Sequence, residues 1–155
     1  MKTVIVYASK RGSTREIAER IASFLVADLV DLSKNATPNL SAYDSVIVGG
    51  SIYAGTIHKL VKQFVASYKD ELSSKTLGIF VGGMSDKEVD AYFETNFPEA
   101  LLKHAKATAF LGGVFDPKTS GVVLRFIMKV ALKQTEYLNT IDSGKIKQFV
   151  DEMEA

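Results

Sequence analysis

The chain has 155 residues, 46% of them hydrophobic and 24% charged, with a formal net charge of +1. This length predicts one domain over residues 1–155, and the composition excludes disordered and collagen-like chains. The near-neutral charge argues against a dedicated nucleic-acid-binding protein, which needs a basic excess to meet phosphates. The basic excess is local instead, because residues 118–149 carry six basic and two acidic side chains, a net of +4.

Cysteine is absent, which excludes disulfides, cysteine-ligated zinc, iron–sulfur clusters and thiol nucleophiles. The apolar run Val4–Tyr7 is too short for the hydrophobic region of a signal peptide, so we expect a cytoplasmic location. No stretch reaches the ~20 apolar residues of a membrane-spanning helix. The apolar-rich segment Val122–Leu132 is interrupted by Arg125 and Lys129 and leaves peripheral contact with the inner face of the membrane open.

Five short apolar runs predict strands that are covered on both faces, as in a parallel sheet. They are Thr3–Ala8, Asp28–Leu32, Val46–Gly50, Leu77–Val81 and Thr108–Val114. Between them, apolar residues at spacings of three and four predict helices, each with one buried face. The predicted inward residues are Ile17, Ile21, Phe24 and Leu25, then Ile57, Leu60, Val61, Phe64, Val65 and Tyr68, and finally Ile146, Phe149, Val150 and Met153.

Two helix boundaries are predicted from single residues. A helical region containing Val89, Phe93, Leu101 and Leu102 is expected to break at Phe97, because proline at the next position disfavours the helical conformation. Ser143 is expected to cap the last helix. The alternation of strand and helix predicts an α/β doubly wound fold, whose ligands bind outside the carboxyl ends of the strands. Paired glycines near the ends of the third, fourth and fifth strands favour a ligand crevice there, at Gly49-Gly50, Gly82-Gly83 and Gly112-Gly113.

The loop after the first strand contains hydroxyl residues and leads into a helix. Its sequence is Ser9-Lys10-Arg11-Gly12-Ser13-Thr14, with Ser13 and Glu16 at the spacing of a capping box. A helix N-terminus offers unpaired amides and a partial positive charge, so a phosphate fits there as well as a capping box does. The dinucleotide pattern G-x-G-x-x-G and the P-loop pattern are absent, which favours a terminal monophosphate.

This loop resembles the T/S-x-T-G-x-T loop with which flavodoxins hold the FMN phosphate, with Arg11 where a hydroxyl residue is usual. Ser51-Ile52-Tyr53-Ala54-Gly55 resembles the first loop beside the flavin, and Gly82-Gly83-Met84-Ser85 resembles the second. Within that group the chain is most similar to flavodoxin-domain proteins related to menaquinone-dependent protoporphyrinogen IX dehydrogenase. The segments that carry this likeness are Tyr7–Ala18, Ser51–His58 and Leu124–Lys129.

The resemblance implies a five-stranded sheet of order 2-1-3-4-5 with helices on both faces, and FMN as the cofactor. The flavin would carry the chemistry, so no catalytic side chain is assigned. Tyr53 is expected to stack on the flavin ring, Met84 to pack at its edge, and the amides of Gly55 and Gly82–Ser85 to bond its polar atoms. Lys10 and Arg11 are expected either to assist phosphate binding or to be solvated. No metal site is predicted.

Short flavodoxins run almost directly from the last strand into the last helix, whereas this chain has an insert of about 27 residues at 116–142. We expect a helix there, with Arg125, Lys129 and Lys133 as a basic stripe on an apolar surface. Such a stripe suits an anionic lipid surface or an acidic substrate, or is simply solvated. His58 is expected on the first turn of the second helix as a surface residue or a proton donor, and His104 is expected to be structural.

The resemblance and the insert together favour an FMN oxidoreductase of the protoporphyrinogen-dehydrogenase type with a quinone acceptor. An electron-carrier flavodoxin and a small FMN-dependent quinone reductase are the alternatives. Carriers of this kind are usually strongly acidic, unlike this chain. A signalling receiver domain is excluded, because the positions where it needs acidic residues hold Ala8-Ser9-Lys10 and Gly49-Gly50-Ser51. The partner is therefore expected to be a redox protein or a small quinone-like molecule.

Overall fold

The computed structural model describes residues 1–34 and 38–155. Its elements in chain order are β1 (Thr3–Ala8), α1 (Ser13–Leu25), β2 (Asp28–Asp31), β3 (Ser45–Tyr53), β4 (Thr56–Ile57), α2 (Lys59–Ser67), α3 (Lys69–Ser73), β5 (Thr76–Gly82), α4 (Val89–Asn96), α5 (Glu99–His104), β6 (Ala107–Phe110), β7 (Val114–Phe115), α6 (Val122–Ala131), β8 (Leu138–Asn139) and α7 (Ser143–Glu154).

The main sheet has the predicted order. Its parallel strands run β2-β1-β3-β5-β6, which is 2-1-3-4-5 once the short antiparallel β4 beside β3 is set aside. Val4 is paired with Val46, and Val46 with Leu77, so the central strands are aligned from their first residues. Their carboxyl ends therefore meet at one edge of the sheet, called here the carboxyl edge.

The side chains of each strand alternate between two apolar clusters, as the period of two along a strand requires. Val4 and Val6 lie in the cluster beneath α2 to α5, whereas Ile5 and Tyr7 lie in the cluster beneath α1 and α7. Both faces of the sheet are thus covered, which is why its strands are continuously apolar rather than alternating. The α/β doubly wound class predicted from the sequence is confirmed.

Several predicted boundaries are wrong for local reasons. Ile57 belongs to β4 rather than to a helix, because a tight hairpin follows β3. The fifth strand ends at Phe110, and residues beyond it turn away into β7. Phe24 is 52% exposed on α1. The helical region around Phe93 does break at Phe97 and Pro98, as predicted.

The last helix is capped by a different residue from the one predicted. The side chain of Asp142 accepts a hydrogen bond from the amide of Lys145 at 3.0 Å, and Ser143 is the first helical residue. The four predicted inward residues of α7 are all buried, Ile146, Phe149, Val150 and Met153.

The insert is closed at its base. β7 and β8 form a two-stranded antiparallel ribbon in which Val114 pairs with Asn139 and Phe115 with Leu138. The amide of Thr140 donates to the carbonyl of Gly113 at 2.8 Å and extends this ribbon. Between the two strands the chain forms α6, the helix that was expected after the fifth strand of the parallel sheet. The ribbon holds α6 over the carboxyl edge.

Candidate functional site

Three loops meet at the carboxyl edge and form a crevice with α6. They are the β1–α1 loop, the β3–β4 hairpin and the β5–α4 loop. A cleft of about 340 Å³ lies between the hairpin, the β5–α4 loop and α6. A smaller cavity of about 80 Å³ adjoins the β1–α1 loop. The two are lined in common by Ile52, Tyr53, Gly83, Met84 and Leu124, so they form one elongated crevice.

The β1–α1 loop is closed by its own first hydroxyl group. The Ser9 Oγ atom accepts a hydrogen bond from the Gly12 amide at 2.8 Å. Gly12 has φ +90° and is the N-cap of α1, with no side-chain cap on the helix. The predicted capping box is therefore wrong, since Glu16 instead bonds Arg20 at 3.0 Å. Because no side chain caps the helix, the first amides of α1 remain available to bind an anion.

The two cations of this loop have different surroundings. The ammonium group of Lys10 lies 5.5 Å from the centroid of the Tyr53 ring, within cation–π range. The Nε atom of Arg11 donates to the backbone carbonyl of Thr119 at 3.4 Å. Arg11 therefore contacts the insert, and this is the place where a hydroxyl residue is usual in the family that the loop resembles. Ser13 lines the small cavity with both cations, whereas Thr14 is buried and does not line it.

The β3–β4 hairpin forms one wall of the crevice. Tyr53 pairs with Thr56, and the intervening residues Ala54 and Gly55 have φ of +49° and +81°. A two-residue turn with positive φ at both positions matches the right-handed twist of its strands and favours glycine at the second position. The predicted residues Ser51, Ile52, Tyr53, Ala54 and Gly55 are thus brought together on this wall.

Asn96, on α4, is bonded to this wall, and sequence reasoning missed it. Its side chain accepts a hydrogen bond from the Ile57 amide at 2.9 Å and donates to the Gly55 carbonyl at 2.9 Å. A third bond reaches the carbonyl of Tyr92 at 2.8 Å. The sequence did contain a signal for it, since residue 96 lies three positions after Phe93 and so falls on the inward face of the same helix. A polar side chain buried there must find hydrogen-bond partners.

The β5–α4 loop forms the opposite wall. Gly83, Met84 and Ser85 line the large cleft, and Gly82 ends β5 just below them. The Gly83 amide donates to the carbonyl of Gly112 at 3.0 Å, which fixes this loop to the segment after β6. All the predicted residues of the second loop therefore lie at the crevice or directly beneath it.

The three glycine pairs do not share one role. Gly49 and Gly50 lie within β3, which continues to Tyr53. A Cβ atom on Gly49 would lie 2.0 Å from the ring of Phe80, so this glycine makes room for a core side chain. Gly112 and Gly113 pack closely on other backbone, and Gly83 is in contact with the crevice. The prediction that all three pairs serve a ligand is therefore wrong for Gly49-Gly50.

The helix α6 has two apolar surfaces. Its inner face covers the crevice with Leu124, Ile127, Met128 and Ala131, together with Leu132 just after the helix. Its outer face is exposed over four apolar residues, Val122, Val123, Phe126 and Val130. Arg125 and Lys129 are exposed on the same helix, whereas Lys133 follows it with φ +52°. The predicted basic stripe is thus two helical residues and one residue of the following turn.

Neither histidine lies in the crevice. His58 is the N-cap of α2 rather than part of its first turn, and its Nδ1 atom accepts a hydrogen bond from the Leu60 amide at 3.2 Å. Burial, and secondarily the charge of Lys10, lower the pKa of His58 below its ordinary value. The ring of His104 lies 2.7 Å from the carbonyl oxygen of Lys75 and ties α5 to the start of β5.

Within residues 1–34 and 38–155, no group of three acidic or histidine side chains is placed to hold a metal ion. No helix in these ranges combines the length and the apolar character needed to cross a bilayer.

Comparison with known sequences gives the family. The Flavodoxin domain family matches residues 4–141, which is most of the chain. The chain belongs to the Flavodoxin domain family. Protoporphyrinogen IX dehydrogenase [quinone] of Escherichia coli strain K12 is 35% identical over 79 residues, 48% of this flavodoxin domain and 44% of that enzyme. The matched region therefore spans less than half of that relative's length.

Other comparisons extend over more of this flavodoxin domain. The enzyme of the same name from Leishmania major is 24% identical across 99% of this chain and 75% of its own length. Flavodoxin 2 of Bacillus cereus superposes with a TM-score of 0.65 at 20% identity, covering 99% of this chain and 98% of its own. A flavoprotein from Lactobacillus acidophilus, solved in complex with FMN, superposes with a TM-score of 0.54 at 16% identity. The match covers 70% of this chain and 92% of that flavoprotein. These structures support the fold.

Proposed function

We propose that this flavodoxin domain binds FMN in the crevice at the carboxyl edge. The supporting observation is the shape of the crevice, in which an elongated cleft leads to an uncapped helix N-terminus beside hydroxyl and cationic side chains. FMN has a flat ring and a side chain that ends in a phosphate, so it needs a cleft for the ring that leads to an anion site for the phosphate. Residues Ser9 to Thr14 would bind the phosphate through their backbone amides, hydroxyl groups and cations. Residues Ser51–Gly55 and Gly82–Ser85 would contact the ring. When bound, FMN would supply the electron transfer.

The first experiment is the visible spectrum of the purified protein, followed by extraction and identification of any chromophore. Titration of the apoprotein with FMN then gives the dissociation constant. Tyr53→Ala should weaken FMN binding about tenfold or more, because base–aromatic stacking of this kind contributes ~1–3 kcal/mol. Tyr137→Ala, in an exposed tyrosine of the insert, is the matched control and should bind as the wild type does. A colourless protein that fails to take up FMN would refute the proposal.

We further propose that the domain is an oxidoreductase that oxidises protoporphyrinogen IX and reduces a quinone. The support is the large cleft under α6, whose apolar lining by Tyr92, Ile127 and Met128 suits a flat hydrophobic molecule beside the ring site. The names of the curated relatives agree with this activity. Conversion of one protoporphyrinogen to protoporphyrin removes six electrons and six protons, so three quinones are reduced to quinols for each porphyrin formed.

An anaerobic assay tests this activity directly. Protoporphyrinogen IX and a menaquinone analogue are incubated with the loaded protein, and porphyrin fluorescence is followed. Ala131→Trp places a large ring at the cleft and should lower turnover at least tenfold. Tyr137→Trp, at an exposed position of the insert outside the cleft lining, should not. Absence of porphyrin formation would refute the assignment. Electron transfer to a protein partner would then favour the carrier, and reduction of a quinone from another donor would favour the quinone reductase.

The outer face of α6 supports a proposal about where the domain acts, namely at an anionic membrane surface. Phe126 is 66% exposed and Val130 62%, and with Val122 and Val123 they form an exposed apolar patch on one helix, a feature that marks interaction surfaces. Arg125 and Lys129 stand beside them, and cations next to an exposed apolar face favour anionic lipid headgroups. The contact would place α6, the helix that covers the crevice, at the surface of the bilayer in which a quinone dissolves.

Sedimentation with vesicles tests the membrane contact. Binding is expected to vesicles that contain phosphatidylglycerol and to be weaker for pure phosphatidylcholine. The double variant Phe126→Ser and Val130→Ser, and charge reversal at Arg125 and Lys129, should each abolish it. The matched control is Phe24→Ser with Lys147→Glu, because these exposed residues form a similar apolar and cationic pair on α1 and α7. Equal binding of all variants would contradict the proposal.

A further inference from the structure

Asn96 lies on the inward face of α4 and uses its whole amide group. The side chain is 6% exposed. Its Oδ1 atom accepts from the Ile57 amide at 2.9 Å, and its Nδ2 atom donates to the carbonyls of Gly55 at 2.9 Å and Tyr92 at 2.8 Å. One acceptor and two donors are therefore occupied by three backbone groups. Two of these belong to the β3–β4 hairpin.

This set of partners requires an amide. A carboxylate of the same shape would keep the bond from the Ile57 amide but would face two carbonyl oxygens without a proton to donate. An apolar side chain would remove the side-chain bond from all three backbone groups, and within the hairpin it would leave the Ile57 amide and the Gly55 carbonyl without this partner. The orientation of the amide is fixed as well, because an N–H group and two carbonyls can each pair with only one of its ends.

The hairpin turn depends on this anchor. Ala54 is exposed at its tip, and β4 contributes only the two residues Thr56 and Ile57 to the ladder. Rotation of the peptide that joins Gly55 to Thr56 would carry the Gly55 carbonyl away from Asn96. The Nδ2 atom would then be left partly unpaired in a buried position, which is costly. Gly55 lines the large cleft, so the orientation of this peptide determines which polar group the crevice presents.

We propose that Asn96 is a positioning residue that holds the Gly55 carbonyl in one orientation and so fixes the hairpin wall of the flavin site before any ligand arrives. This inference rests on the proposed binding of FMN. A flexible glycine in such a turn allows the peptide to reorient when the neighbouring ring gains a proton, and the bond to Asn96 opposes that change. The crevice is preorganised, and ligand binding does not have to order the turn.

The test compares Asn96→Ala and Asn96→Asp with Leu72→Ala. Leu72 is fully buried on α3, close to the start of β5 and outside the crevice lining, so its truncation destabilises the fold without touching the hairpin. Thermal unfolding confirms that the variants are folded and comparably destabilised. Three quantities are then measured: the exchange rate of the Ile57 amide proton without ligand, the affinity for riboflavin and FMN, and the two one-electron reduction potentials of bound FMN.

Asn96→Ala should speed Ile57 exchange, whereas Asn96→Asp keeps the acceptor of that amide and should not. Both variants should weaken the binding of riboflavin and FMN at least tenfold, because both lose the bond to the Gly55 carbonyl. They should also change the separation between the two potentials, because the freed carbonyl becomes available to the ring. Leu72→Ala should retain the wild-type affinities and separation. The proposal would be overturned if the Asn96 and Leu72 variants had equal flavin affinities. It would also be overturned if the two one-electron potentials were equally far apart in these variants. If the wild type binds neither flavin, the proposed function fails, and Ile57 exchange alone decides whether Asn96 fixes the turn.

Discussion

The guanidinium group of Arg11 bonds the backbone carbonyl of Thr119 across the opening of the crevice, with 3.4 Å between Nε and the oxygen. A Cβ atom at Gly121 would lie 3.0 Å from the Nη2 atom of Arg11, so the absence of a side chain at Gly121 leaves room for this contact. Gly121 is also the residue before α6. The β1–α1 loop and the insert are therefore joined at the point where α6 begins.

Arg11→Ala should loosen the insert while changing global stability little. The contact is exposed, and exposed charged contacts contribute at most ~1 kcal/mol. We expect faster amide exchange across Val122–Ala131 and unchanged exchange in the central strands, measured by mass spectrometry. Arg15→Ala is the control, because Arg15 is also exposed but pairs with Glu19 on its own helix. Unchanged exchange in α6 of the Arg11 variant would contradict a bridge between loop and insert.

The hydrogen bond of His58 predicts a loss of stability in acid. The pKa of His58 is lowered in the folded state, first by burial and then by Lys10, so the unfolded state binds the proton more readily. The contribution of this residue is complete above the unfolded pKa of about 6.5 and is lost as the pH falls through the lower folded value. Protonation at Nδ1 would also remove the acceptor of the Leu60 amide.

The measurement is the free energy of urea unfolding between pH 7.5 and pH 5 for the wild type and for His58→Asn. Asparagine is among the favoured N-cap residues and does not titrate in this range. The wild type should lose more stability than the variant as the pH is lowered. If the free energies of unfolding of the two proteins changed in parallel with pH, the titration of His58 would not contribute to stability.

The cap of the last helix gives a second stability prediction. Asp142→Ala should destabilise the protein by about 1 kcal/mol, because an N-cap side chain satisfies an amide that the helix itself leaves unpaired. The bond to Lys145 identifies Asp142 as that cap. Ser143→Ala, the residue predicted from the sequence, should change stability by much less. Thermal or urea unfolding distinguishes the two, and a larger loss for the Ser143 variant would restore the sequence-based assignment.

The sequence predicted the sheet well because the signals were redundant. Strands such as Thr3–Ala8 are continuously apolar after their first residue, and the helices between them carry clear inward faces. The break at Phe97 was predicted because proline acts on its neighbour directly. The boundaries that failed depend on contacts between distant residues. The expected capping box is absent because Ser9 bonds the Gly12 amide and makes Gly12 the N-cap of α1. The strand β6 ends early because the segment after it pairs with Leu138–Asn139.

The candidate site was predicted as separate loops, and their convergence follows from the parallel order of the strands. Asn96 was missed because its role comes from the hairpin that it meets, which no spacing in the sequence indicates. The same holds for Arg11, whose partner Thr119 is more than a hundred positions away. Local patterns predict which residues border a crevice, whereas the bonds that fix its walls arise from tertiary packing.

Gly112 provides the most severe single test of the packing beneath the crevice. It has φ +88°, and a Cβ atom there would lie 2.0 Å from the carbonyl oxygen of Thr140. That oxygen is backbone within the segment that holds the insert ribbon, so it cannot move aside cheaply. We expect Gly112→Ala to destabilise the protein by about 3 kcal/mol or more, since overpacking adds to the strain of a positive φ.

Gly144→Ala is the control, because residue 144 lies in the first turn of α7 and a Cβ there meets only the Asp142 carboxylate at 3.3 Å. Alanine is favoured over glycine in a helix, and the Cβ contact falls on a side-chain oxygen rather than on backbone, so the control should change stability far less than Gly112→Ala does. Urea unfolding measures both, and an equal effect of the two substitutions would show that the close approach at Gly112 does not constrain the fold.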